Sequence, residues 1–320
     1  MKTNLVLDHL TAKPGEKISG YMKIINTDLE IPVTLICGTQ EGPAVLVTGG
    51  IHNAEYVGIQ AAMELCAELN PSELCGDVII FPLVNRSGFE HRTMSMVYED
   101  GKNINREFPG NPEGTTTERI CHTFVEKILP RVDYYMDLHC GDGYEALYPH
   151  VYTLGAAAPD VNRASDAMAG AVNMDFRYPS KNASGGAYNH AGSMGVPGIL
   201  LERGSRSLWS REEVEADKED VRNVLRYLNV LEGEAKVYDG VQRELRDGYF
   251  LEADDTGLWY PCYQVGDRFE KGALLGTIKD YMGNVVKEYY AQVSGILLIQ
   301  TISLNVLKGG AMLSYCELKD

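Results

Sequence analysis

In GGIHNAEYVG, residues 49–58, an imidazole and a carboxylate stand three apart, as His52 and Glu55. They follow a short apolar run, AVLVTGG (44–50), and open a helix-spaced run, EYVGIQAAMELCAEL (55–69). Two such groups on a turn leading into a helix can face one metal ion. Zinc accepts imidazole nitrogen and carboxylate oxygen, and a catalytic zinc site usually has three protein ligands and a water. His139, in DLHCGDG, is the best third ligand. The spacing alone is weak, because the chain has seven histidines and a helix N-terminus favours glutamate without any metal. Asp137, two before His139, would point to the same face of a strand and could orient the imidazole. A strand-end aspartate satisfied by its neighbours is the equal alternative. Cys140 would point the other way and is not counted as a ligand.

Glu202 follows an apolar run in GILLERG. A carboxylate is costly to bury there without a purpose. It reads as a general base toward a water, its pKa raised by its surroundings, or as the ion-pair partner of Arg203 or another basic residue. The polar segment HRTMSMVYEDGKNINREFPG (91–110) carries Arg92, Asn105 and Arg106. Arginine grips carboxylates bidentately, so Asn105 with Arg106 could clamp a substrate carboxylate. Another arginine could stabilise a developing oxyanion. Ordinary solvated arginines on a loop explain the same residues.

The elements that must position these groups alternate along the chain. IPVTLICG (31–38), AVLVTGG, DVIIFPLVN (77–85), VDYYMDLHCGDG (132–143) and VPGILLERG (196–204) read as strands. Residues 55–69, TTTERICHTFVEKILP (115–130), VNRASDAMAGAVNM (161–174) and 211–231 read as helices. The alternation predicts an α/β sheet covered on both faces. His52, His139 and Glu202 all fall at or just past strand C-terminal ends, where open α/β sheets place their ligand sites. After about residue 236 the chain becomes short strands punctuated by glycine, with no convincing helix. That predicts a second, all-β domain of about 80 residues.

The chain has 320 residues, 44% of them hydrophobic, enough for a sizeable core and more than one domain. With 29 basic and 45 acidic residues the net charge is -16. That balance disfavours nucleic acid and anionic membrane surfaces as partners. An anionic substrate would need basic side chains gathered locally. The opening MKTNLVLDHLTAKPGEK lacks the apolar core of a signal peptide. No apolar run approaches the roughly 18 residues of a spanning helix. Seven scattered cysteines without a CxxC pair suit a reducing compartment, and cytoplasm is the expected location.

The segments GGIHNAEYVG, RTMSMVYEDGKNINREFPG, MDLHCG and ILLERG, in this order across residues 44–204, are far more specific than His-x-x-Glu. With them the chain resembles the succinylglutamate desuccinylase/aspartoacylase family, a branch related to the M14-like zinc carboxypeptidases. The resemblance implies an α/β catalytic domain over 1–236, with a mixed sheet flanked by helices. It also implies a small C-terminal β domain over 237–320. It implies one Zn2+ per chain held by His52, Glu55 and His139, with Glu202 as the catalytic glutamate. Asn105 and Arg106 would hold a substrate carboxylate, and Arg92 would polarise the scissile carbonyl. Two positions depart from the family pattern. Asn53-Ala54 stand where Gly-Asp is common, and Asn103 stands where the Asp-Leu-Asn-Arg form has aspartate. Both leave the ligands intact but could alter substrate choice or rate. The β region is similar to biotinyl and lipoyl barrels but lacks their Met-Lys pair. A cofactor-free barrel that packs on or shades the site is expected.

The activity implied is zinc-dependent hydrolysis of the amide of a small N-acyl amino acid or related carboxylate-bearing amide. A metallocarboxypeptidase acting on short peptides uses the same groups, and a non-catalytic ligand-binding protein on this scaffold is a rival of another class. Co²⁺ or Mn²⁺ would fit the same donors. His190, in GGAYNHAGSMGVPG, reads as a plain loop histidine, with substrate contact as the alternative. Homo-oligomers are compatible with the sequence, which leaves the number of copies, the acyl group and the amine open.

Overall fold

The computed structural model of the chain describes residues 2–236, 238 and 240–318. Met1, Val237 and Asp320, which bound the two expected domains, lie outside the described residues. The first strands are β1 (Leu5–Leu7), β2 (Leu10–Ala12), β3 (Lys17–Lys23), β4 (Glu30–Cys37), β5 (Gln40–Gly49) and β6 (Cys75–Phe81). They are followed by β7 (Tyr134–His139), β8 (Glu145–Leu147), β9 (His150–Leu154), β10 (Phe176–Ser180), β11 (Gly198–Glu202) and β12 (Arg243–Glu244). β1 and β2 form a hairpin. A nine-stranded sheet runs in the order β12-β10-β9-β11-β7-β5-β6-β4-β3. It is mixed: β6, β5, β7 and β11 are parallel, while β9 runs antiparallel to β11 and β4 antiparallel to β6.

The helices are α1 (Tyr56–Glu68), α2 (Arg86–His91), α3 (Thr116–Lys127), α4 (Pro159–Ala169), α5 (Ala187–Ser193) and α6 (Arg211–Tyr227). α3 and α6 begin at capping boxes, Thr115 with Glu118 and Ser210 with Glu213, which satisfy end N–H groups reciprocally. α4 stops short of the expected residue 174, at Gly170. α2 and α5 lie in stretches that sequence periodicity left as loops. Both are short, and α5, AYNHAGS, has few strong helix formers.

The central strands are buried on both faces, as parallel strands require. Val45, Val47, Met136, Leu138, Ile199 and Leu201 pack with Val57 and Leu65 of α1 and Val221 and Val224 of α6. The opposite face carries Leu46, Phe81, Tyr135 and Leu200, packed with Phe124 of α3 and Tyr188 of α5. Gly58 lets α1 approach β7: a Cβ there would lie 2.7 Å from the Leu138 carbonyl oxygen.

The C-terminal region contains β13 (Arg246–Glu252), β14 (Gly257–Pro261), β15 (Arg268–Phe269) and β16 (Leu274–Lys279). It continues with β17 (Val285–Tyr290), β18 (Gly295–Thr301), β19 (Asn305–Val306) and β20 (Ala311–Glu317). Among the described residues it has no helix, as expected. The strands form two sheets, β13-β20-β18-β15 and β17-β16-β14-β19, and among the described residues no ladder closes either into a barrel. Trp259, Ile278, Leu297 and Tyr315 share its core. The two regions interlock. β8 leaves the α/β part to pair with β18, and β12 joins the central sheet beside β10.

Candidate metal centre

β5 and β7 deliver the centre. β5 ends at Gly49, and Gly50 takes φ +65, the left-handed region that glycine enters without strain. The chain then turns at once to present His52 and Glu55. Glu55 occupies the N-cap position of α1 but makes no side-chain cap. Its carboxylate is engaged elsewhere: Oε1 lies 2.7 Å from His52 Nδ1 and Oε2 2.9 Å from His139 Nδ1. Oε2 also accepts from the Cys140 amide at 3.0 Å. The imidazole rings meet edge to face, 4.9 Å between centroids. One donor atom from each of the three residues lies within 4.8 Å of the others.

Both histidines turn Nδ1 inward and Nε2 outward. His139 Nε2 stands 3.2 Å from Asp137 Oδ2, a charge contact whose angle falls short of a hydrogen bond. The other Asp137 oxygen accepts from Thr48 Oγ1 at 2.6 Å, and Thr48 shares a 2.7 Å hydrogen bond with the Tyr135 hydroxyl. Tyr135, Asp137 and His139 lie two apart along β7 and share a face. Thr48 joins them because it is opposite Asp137 in the ladder. His52 Nε2 meets Asn103 Oδ1 at 3.1 Å. The partner that Asn103 offers is a side-chain amide, so this outer contact is neutral.

These charges set one another. Burial would raise Glu55, but His52 and His139 outweigh it and hold the carboxyl down at about 2. Burial alone would lower His139, yet Asp137 and Glu55 hold it well above its ordinary value. Two inward nitrogens and a carboxylate, each histidine backed by an oxygen acceptor, form a donor set suited to a divalent ion. Cys140 is buried with the apolar residues of the opposite face, as expected.

Glu202 ends β11 directly opposite His139 in the parallel ladder, so the two side chains share a face. Arg203 does not pair with it. Arg203 Nη2 binds Asp220 and its Nε lies 3.7 Å from Asp217, both on α6. Glu202 Oε2 is shut from solvent without a hydrogen-bond partner among the described residues. Burial pushes the Glu202 carboxyl well up. His139 opposes the shift, while Glu55, Glu145 and Asp137 reinforce it.

The expected substrate groups are placed less uniformly. Asn105 is buried, and its Oδ1 accepts from the Ala187 amide at 2.8 Å, tying this turn to α5. Arg106 is exposed, with Nη1 on the Asn105 carbonyl at 2.8 Å. Arg92 caps α2 in the left-handed region at φ 56, and its exposed side chain makes no hydrogen bond or ion pair with the cluster among the described residues. His190 lies on α5 rather than a loop, 2.9 Å from Ser184 Oγ. Asn53 is buried and accepts from Asn85 Nδ2 at 2.9 Å.

Four participants escaped the sequence reading. The Asp137–His139 spacing signalled a shared face, but nothing singled out Tyr135, and Thr48 depended on strand register. Asn103 drew notice only as a departure, not as the partner of His52. Glu145 gave no local signal.

A model of the succinylglutamate desuccinylase/aspartoacylase catalytic domain matches residues 41–228. An N-alpha-acetyl-L-2,4-diaminobutyric acid deacetylase of Halomonas elongata is 29% identical over 301 residues, 90% of this chain and 85% of that one. The product-bound structure of the ectoine utilization protein EutE (DoeB) from Ruegeria pomeroyi superposes with a TM-score of 0.87 at 26% identity, covering 99% of both chains. A succinylglutamate desuccinylase/aspartoacylase from Rhodobacter sphaeroides gives 0.84 at 26% identity, over 95% of this chain and 96% of that one.

Proposed function

The chain belongs to the succinylglutamate desuccinylase/aspartoacylase family, and from that premise we propose that it is a zinc-dependent amidohydrolase that removes the acyl group from a small N-acyl amino acid. Membership makes it a hydrolase of small acylated substrates. The observation that carries the finer reading is the convergence of His52 Nδ1, His139 Nδ1 and Glu55 beside Glu202, whose Oε2 has no hydrogen-bond partner among the described residues. The name of the Halomonas relative puts N-acetylated diamino acids at the head of the candidate substrates.

His52, Glu55 and His139 would hold one zinc ion per chain. When bound, that ion supplies Lewis acidity and lowers the pKa of a water. Glu202 takes a proton from the water that attacks the amide carbon, then gives it to the leaving nitrogen as the C–N bond breaks. Burial, reinforced by the carboxylates around it, raises its affinity for a proton, which suits it to take the proton from the water. Asn105 and Arg106 anchor the substrate carboxylate. Arg92 is assigned to the carbonyl oxygen. Arg92→Ala should lower kcat with little change in KM, and an unchanged kcat would remove it from the site.

Residues 1–236 are taken as the catalytic unit and 237–320 as a small barrel-like unit that shades it. Among the described residues no helix is long and apolar enough to cross a membrane. The cytoplasm is the location we assign, from the scattered cysteines without a CxxC pair.

The test is amine release by zinc-loaded protein from acetyl, succinyl and longer-chain N-acyl amino acids, set beside short blocked and unblocked peptides. Release from the acyl amino acids supports the deacylase. Cleavage confined to peptide C-terminal residues moves the assignment to a carboxypeptidase. Stoichiometric zinc with no release from any amide overturns both.

A further inference from the structure

Glu145 opens β8, and its backbone is fixed from three sides. The segment after His139 is joined to the segment after Glu202: Gly141 N donates to Gly204 O at 3.1 Å, Ser207 N to Gly141 O at 3.1 Å and Arg206 N to Glu145 O at 2.8 Å. Leu147 N donates to Ser205 Oγ at 3.2 Å. From the C-terminal region Ile302 N donates to Tyr144 O at 2.8 Å, and Thr301 stands opposite Glu145 in the β8–β18 ladder. Glu145 is thus held between the strand ends that carry His139 and Glu202.

Its carboxyl lies within electrostatic reach of Glu55, Asp142, His139 and Arg106, and it acts in turn on Glu202. The other carboxylates of this neighbourhood have assigned work. Glu55 serves the two histidines, and Asp137 faces His139 and Thr48. Asp142 accepts from Ser95 Oγ at 2.8 Å and from the Tyr144 amide at 3.0 Å. Glu202 is the proton carrier. Glu145 alone has no task, and its carboxyl has neither a hydrogen-bond nor an ion-pair partner among the described residues. It is also outside the metal-donor group. Burial, reinforced by Glu55 and Asp142, pushes it up to about 8. This is a carboxyl placed with care and short of positive charge.

We propose that Glu145 receives a cationic nitrogen of the substrate, so that the site selects N-acyl amino acids bearing a second, protonated amine. The proposal rests on the deacylase reading. Arg106 and Glu145 then form two poles of opposite sign, one for the substrate carboxylate and one for its ammonium. A substrate with a second carboxylate in that place would add a further negative charge beside Glu55 and Asp142, with no ammonium to balance it, which is rejection by repulsion.

The experiment compares three acetylated substrates of similar side-chain length: N-α-acetyl-L-2,4-diaminobutyrate, N-acetyl-L-norvaline and N-acetyl-L-glutamate. Zinc-loaded wild type should favour the cation over the neutral compound by roughly 10- to 100-fold in kcat/KM, the range expected for a hydrogen bond to a charged group. Glu145→Gln should bring that ratio close to one, and Glu145→Asp should leave an intermediate ratio if the glutamine variant does not fold. A ratio unchanged in the variants, or a wild type that favours the glutamate compound, overturns the proposal. Calorimetric binding of L-2,4-diaminobutyrate against L-norvaline gives a second readout. Failure to hydrolyse any acyl amino acid defeats the deacylase reading. The role of Glu145 is then decided by binding, and it falls if the wild type does not favour the diamine or if Glu145→Gln keeps that preference.

Discussion

His139 and His52 present the same ring atom to the same carboxylate from opposite kinds of backbone. His139 ends a buried strand, is 2% exposed, and is backed by a fully buried aspartate two residues away. His52 stands in a loop, its side chain is 14% exposed, and it is backed by a neutral amide 51 residues away. The difference shows what each backbone can support. A buried carboxylate is costly unless its partners are held in place. Strand alternation and ladder register hold Asp137 between His139 and Thr48, so a full charge is sustainable there. On the loop side two separate turns must meet. An amide oxygen there orients the ring, and any slack in the fit leaves no unpaired charge.

The largest expected effect lies on the strand side. Glu202→Gln should lower kcat by roughly 10²- to 10⁴-fold, the usual worth of a positioned acid–base group, with zinc content unchanged by metal analysis. Turnover at the wild-type rate would strip the strand side of its catalytic part. An intermediate effect tests the two outer partners directly. Asp137→Asn should weaken zinc binding by roughly 10- to 100-fold, whereas Asn103→Asp should tighten it, both measured by chelator competition. Equal and same-signed changes would erase the distinction between strand and loop.

The last effect concerns stability rather than catalysis or metal binding. His150 lies opposite Glu202 in the β9–β11 ladder, fully buried, with Nδ1 2.8 Å from the Tyr148 carbonyl oxygen. Burial lowers its pKa to about 4. The unfolded chain takes up this proton below about 6.5, while the folded chain resists until about 4. Stability should therefore fall as pH drops through that window, by about 3 kcal/mol in total for this one group. Denaturant midpoints measured between these pH values should decline less in His150→Gln. An identical decline would show that the acid sensitivity comes from elsewhere.

Legibility followed the same division. The strand-borne residues could be read early, because alternation states which side chains share a face and apolar runs state where a strand ends. Asp137, His139 and Glu202 came from that logic. α1, α3 and α6 came from helical spacing and caps. The choice between a paired and an unpaired Glu202 could not be read, because Arg203 turns to Asp217 and Asp220 on α6. The short α2 and α5 lacked the length for a periodic signal.

The sequence by itself determined the donor types, their order, the strand and helix alternation that carries them, and the change to an all-β C-terminal region. These follow from local spacing, since side-chain direction along a strand or helix is set within a few residues. The tertiary structure alone decided that Thr48 braces Asp137, that Asn103 backs His52, and that β18 grips β8 and so holds Glu145 between the strand ends that carry His139 and Glu202. Each joins residues far apart in the chain. Such contacts depend on strand register and on which apolar faces pack together, and burial of the whole core settles both.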